Sequence, residues 1–126
     1  MPKQRADFEQ TFATLRAVLR GADKNLLTTV DKRGDFQVAD AKRTDRIGRP
    51  LFVAGVQIKK NYVSYHLMPA YACPELLTGL SPSLKKRMQG KACFNFTAIA
   101  PEHVAELKTL TKRGITRFKN APLAWE

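Results

Sequence analysis

The sequence of 126 residues is 44% hydrophobic, enough apolar material for one core and one folded domain over residues 1–126. Its 22 Lys and Arg against 11 Asp and Glu leave a net charge of +11, which favours anionic partners: a small anion, nucleic acid or a lipid headgroup. No run approaches the roughly 20 apolar residues of a membrane-spanning helix, and the opening MPKQRADFEQ is charged and lacks the apolar segment of a secretory signal, so the expectation is a soluble cytoplasmic protein with free thiols at Cys73 and Cys93.

Phe8, Phe12, Leu15, Val18 and Leu19 recur at helical spacing and predict a helix over Asp7–Arg20, with Asp7 as cap and Gly21 at its end. Residues 22–34 carry turn formers and close on Arg33-Gly34-Asp35; no element is assigned to most of them. The period then changes to alternation. Strands are predicted at Phe36–Lys42, Pro50–Ile58, Tyr62–Met68 and Ala92–Ile99. RIGRP, with Gly48 and Pro50, joins the first two as a hairpin, and KKN turns the second into the third.

A short helix is expected after Pro74, and another over Pro82–Gln89, where Ser81 is the cap, Pro82 the first helical residue and Gly90 the residue beyond the end. The last helix starts near Pro101. Its apolar stripe holds Val104, Leu107, Leu110, Ile115 and Phe118, while Glu102, Glu106, Lys108, Lys112, Arg113 and Lys119 form the solvent side. Strands grouped between helices, rather than alternating with them, predict an α+β fold: an antiparallel meander flanked by N- and C-terminal helices packed on one face.

The pleat of the third strand separates Tyr62, Ser64, His66 and Met68 from Val63, Tyr65 and Leu67, and the pleat of the fourth separates Cys93, Asn95 and Thr97 from Phe94 and Phe96. If the apolar sets share one face, Ser64, His66, Cys93 and Asn95 share the other. For nucleophilic chemistry the first candidate is Cys73, placed before the helix expected at Pro74 and seven residues from His66. No third residue at a recognisable spacing orients the base, so a buried Cys and a hydrogen-bonded His are the favoured reading. Neither His66 nor His103 has a ligand partner at i, i+4, and there is no CxxC and no phosphate-binding glycine loop, so neither a metal site nor a cofactor is expected. Lys85, Lys86, Arg87 and Lys91 gather around the Pro82 helix without an acid and, with Lys59 and Lys60, make a candidate anion-binding patch.

NYVSYHLMPAY, followed about twenty residues on by LKKRMQGKACFNF and then by LTKRG, resembles the YdhG-like family of small bacterial proteins, which share a domain of unknown function. The likeness is strongest from Lys59 to Phe118. The matching positions are Tyr62, Ser64, Tyr65, His66, Met68 and Pro69, then Lys86, Gly90, Lys91, Cys93, Phe94 and Phe96. The resemblance implies an antiparallel sheet flanked by helices, similar to the frataxin-like arrangement, and brings no catalytic residues. Some relatives are described as iron chaperones, which supplies one alternative function; nucleic-acid binding through the basic surface supplies another. The reading favoured is a small binding or accessory protein, not an enzyme, with no membrane contact. It takes an anionic small molecule at Tyr62, Ser64, His66, Cys93 and Asn95, rimmed by Lys86 and Lys91.

Overall fold

The computed structural model describes residues 2–23, 25–90 and 92–119. The architecture is α+β. Helix α1 (Pro2–Ala22) leads into strands β1 (Leu27–Lys32), β2 (Asp35–Thr44), β3 (Pro50–Ile58) and β4 (Val63–Leu67). Helix α2 (Met68–Ala72), a 3-10 turn at Pro74–Leu77 and helix α3 (Pro82–Lys85) follow, then strands β5 (Met88–Gln89) and β6 (Cys93–Phe96) and helix α4 (Pro101–Lys119). The six strands form one antiparallel sheet in the order β1-β2-β3-β4-β6-β5. No helix among the described residues is long and apolar enough to cross a membrane.

Several boundaries differ from the sequence expectation. The first helix is already under way at Asp7, because the preceding residues contain no helix breaker and Pro2 suits a first helical position. Gly21 lies inside its last turn, not beyond it. Strand β1 occupies part of the unassigned 22–34 segment. The helix expected over Pro82–Gln89 stops at Lys85: Ser81 does cap it, accepting from Leu84 N, but Arg87 O already accepts from Asn95 N at 2.7 Å and Met88 pairs with Phe94. Gly90, at φ 75°, therefore lies at the β5–β6 connection, not at a helix end. The fourth predicted strand shortens to Cys93–Phe96, and the third ends at Leu67 because Pro69 opens α2.

One face of the sheet is apolar. Phe36 pairs with Val56, Val56 with Tyr65 and Tyr65 with Phe94, a row of buried side chains running across four strands. Phe8, Phe12, Leu15 and Leu19 of α1 join this face in one core, with Leu107, Leu110, Ile115 and Phe118 of α4. Fully burying each of these side chains is worth about 1.5–3 kcal/mol before entropy is counted, so the helices fix which face of the sheet is left open. Glu106, expected on the solvent side, instead accepts from Ser81 N and Oγ at 2.8 and 2.7 Å and ties α4 to the start of α3.

Candidate functional site

The rows adjacent to the core row point the other way. Gln37 pairs with Gly55, Gly55 with His66 and His66 with Cys93; one step along, Asp35 pairs with Gln57, Gln57 with Ser64 and Ser64 with Asn95. These residues face away from the helices. A β-bulge between β2 and β3, where Val38 opposes Ala54 but Ala39 opposes Phe52, shifts the alternation by one residue and puts Phe52 on the same side. The result is a hollow of about 360 Å³, a volume suited to a small molecule.

Its floor is Gly55. A side chain there would stand in the middle of the hollow, its Cβ 3.1 Å from Gln37 Cγ and 3.4 Å from Phe52 Cε1. Phe52 forms one wall and packs edge-on against His66, ring centroids 5.3 Å apart and planes at 83°. Ser64, His66, Cys93 and Asn95 line one side, and Lys59 and Tyr62 the end near the β3–β4 turn. Asn95 donates its side-chain amide to Gln89 Oε1 of the edge strand β5. Asp35 accepts from Gln37 Nε2 at 2.9 Å and Gln57 Nε2 at 3.2 Å, so two amides meet its charge. No Asp or Glu is among the described residues that line the hollow.

His66 is half-buried, and its burial pushes its pKa below the ordinary histidine value, so the imidazole is neutral near pH 7. Its Nδ1 lies 3.2 Å from Cys93 Sγ. Comparison of the chain with protein-family models, with curated proteins and with solved structures gave no match.

The structure thus brings Tyr62, Ser64, His66, Cys93 and Asn95 to one hollow, but it does not bring Lys86 there. Lys86 is exposed at the end of α3, and the turn into β5 presents Gln89 to the hollow instead. Lys91 lies outside the described residues. Cys73, the first candidate nucleophile, is 4% exposed and belongs to the core on the far side of the sheet; the cysteine that meets His66 is Cys93. His103 is also buried away from the hollow, its Nε2 2.7 Å from Ser83 Oγ. Sequence reasoning missed Gln37, Phe52, Gly55 and Gln57, because the register of β2 and β3 and the bulge between them are not local properties. One signal was present: a glycine inside a strand pattern marks a place where something approaches the backbone closely. Among the described residues no three His, Cys, Asp or Glu side chains assemble into a group able to hold a metal.

Proposed function

We propose that this protein is a small cytoplasmic binding protein of the YdhG-like kind that holds an anionic small molecule in the hollow over Gly55. The observation carrying this reading is the composition of the lining. Lys59 supplies a cation, Tyr62, Ser64 and His66 supply donors, Phe52 supplies an apolar wall, and no carboxylate among the described lining residues opposes an anion. The surplus of 11 positive charges raises the local anion concentration and speeds encounter. An iron-carrying role has weaker support: the described lining offers one thiol, one imidazole and neutral amide and hydroxyl oxygens beside the cationic Lys59, without the carboxylates that a hard cation needs.

The test is a titration at low salt with inorganic phosphate, pyrophosphate and citrate, followed by backbone amide NMR. Saturable shifts centred on Gly55, Lys59, Ser64, His66 and Asn95 are expected with at least one of the three. Gly55→Leu, which fills the hollow from the face opposite the core, abolishes them while the far-UV circular dichroism stays unchanged; Lys59→Gln weakens binding about tenfold. Absence of saturable shifts with all three anions, or binding by Gly55→Leu equal to that of the wild type, overturns the proposal.

A further inference from the structure

The two cysteines occupy opposite environments. Cys73 is sealed in the core, whereas Cys93 is only partly buried and lines the hollow. The contact between Cys93 and His66 is imposed by the backbone. Leu67 N donates to Ala92 O at 2.8 Å, so Ala92 bonds toward β4, and Asn95 N donates to Arg87 O, so Asn95 bonds toward β5; the two bonds fix the hydrogen-bonding alternation of β4, β6 and β5. In that alternation His66 and Cys93 are a non-hydrogen-bonded pair, the kind in which side chains of neighbouring antiparallel strands stand closest. Sγ and Nδ1 are thereby held at 3.2 Å, with Phe52 packed edge-on against the imidazole. A nucleophile, a base within hydrogen-bond reach and an adjoining space for a reactant are the three requirements of an activated thiol.

We propose that Cys93 and His66 form a reversible thiol-exchange site, at which Cys93 takes up a low-molecular-weight disulfide from the hollow as a mixed disulfide. The proposal rests on the preceding reading in one respect: the preference for a disulfide bearing carboxylates comes from Lys59 and the lack of an opposing acid in the described lining.

In the exchange step the proton on Cys93 Sγ passes to Nδ1 of His66, which accepts it when the resting imidazole carries its own proton on Nε2. Sγ then attacks one sulfur of the ligand. A Cys93 Sγ–S bond forms as the ligand's S–S bond breaks, and the departing thiolate takes the proton back from the imidazolium. One thiol and one disulfide enter and one of each leaves, so the step requires no separate oxidant or reductant. Burial of His66 sets the order of events: it disfavours a resting thiolate–imidazolium pair and keeps the imidazole free to accept the proton as the attack proceeds.

The experiment uses the full chain, wild type and Cys73→Ser, at pH 7 and low salt, followed by intact-protein mass. The reagents are neutral iodoacetamide, anionic 5,5'-dithiobis(2-nitrobenzoate) and cationic cystamine, with N-acetylcysteine as the reference thiol. One adduct is expected, at Cys93 and unaffected by Cys73→Ser, formed with iodoacetamide at least about tenfold faster than on the reference thiol. Dithiothreitol releases the disulfide adducts and leaves the alkylated protein unchanged. His66→Asn, which keeps a polar group but removes the base, lowers the rate at least about tenfold and returns its pH dependence to that of a plain thiol, rising toward about pH 8.5. Should that variant fail to fold, the wild-type profile decides. A base-assisted thiol holds its rate down to the depressed pKa of His66, below about 6.5, where a plain thiol loses tenfold per pH unit.

Iodoacetamide rates no faster than the reference, or rates unchanged by His66→Asn, overturn the exchange site whatever the hollow binds. A fast, His66-dependent reaction that treats the anionic and cationic disulfides alike supports the exchange site and overturns the anion reading instead.

Discussion

Tyr65 stands in the middle of the core row with no exposed surface, and its hydroxyl lies 2.6 Å from Thr111 Oγ1 on α4. Burial pushes the phenol well above its ordinary pKa, with the bond to Thr111 opposing this only in part, so the group is a neutral hydrogen-bonding partner at any working pH. The two single substitutions are not equivalent. Tyr65→Phe leaves Thr111 able to bond the carbonyl one turn back in its own helix, and is expected to cost about 1 kcal/mol; Thr111→Val strands the phenol hydroxyl in an apolar core and is expected to cost about 2 kcal/mol. The double variant is expected to lose less than the sum, because it leaves no polar group unmet. Urea unfolding of the four proteins checks the order, and strict additivity would show that the hydroxyls do not sustain each other. Tyr65 inside and His66 outside were both legible in the sequence, since the pleat is a period of two and needs no knowledge of neighbours. The partner of His66 was not: Cys73 is nearer in sequence, but only the pairing of β4 with β6 places Cys93 opposite the imidazole.

Helix α4 approaches α2 closely because Gly114 has no side chain. A Cβ at that position would lie 3.1 Å from Cβ of Pro69 and 3.6 Å from Cδ1 of Leu76. The pyrrolidine ring cannot rotate aside, so α2 as a whole would have to move. Replacing a mid-helix glycine by alanine gains roughly 1 kcal/mol of helix propensity, while overpacking a tight contact costs roughly 1–3 kcal/mol. Gly114→Ala is therefore expected to lose about 1 kcal/mol in urea unfolding, and a stabilised variant would show that α2 is free to shift. Elements with a buried face were the readable ones. Strand β3 matches its predicted bounds of Pro50–Ile58, and α4 its start at Pro101, because each carries the periodicity of the core it joins. Strand β1 carries no such mark: it lies at the sheet edge, five of its six residues are exposed and only Val30 is intermediate, so burial imposes no alternation on it. Strand β5 is too short for a period to appear, and the helical punctuation of Ser81 and Pro82 extended the α3 expectation over it.

For the molecule as a whole, the scarce acids are placed as fasteners between elements. Arg16 of α1 pairs with Asp31 of β1 at 2.9 Å while its guanidinium lies over Phe36, Glu9 of α1 pairs with Arg33, Asp23 with Lys119 at the end of α4, and Glu75 with Arg117. Among the described residues no ion pair engages Lys59, Lys60, Lys85, Lys86 or Arg87, so much of the positive surplus is uncompensated at the surface. Acid acts on this arrangement in a definite direction. The bond from Lys119 holds the Asp23 carboxyl below the usual carboxylate range against a smaller opposing effect of burial, and a bond from its own backbone N–H followed by the bond from Arg117 does the same for Glu75. A carboxyl whose pKa is depressed by folding contributes stability that is fully present above its unfolded value, near 4, and is lost as pH falls through the folded value. The neutral state that burial favours for His66 adds an earlier loss, which begins as pH falls below about 6.5. Each neutralised carboxylate also adds to a net charge already at +11, so repulsion grows over the same range. The urea midpoint is accordingly expected to decline gently from pH 7 to 5 and steeply below pH 4. Raising the salt to about 0.5 M, where the Debye length falls to roughly 4 Å, should recover part of the low-pH loss by screening the like charges. Asp23→Asn should flatten the steep segment and His66→Asn the gentle one. A midpoint constant between pH 6 and 3, or a low-pH loss deepened by salt, would show that these fasteners do not govern the acid stability of the fold.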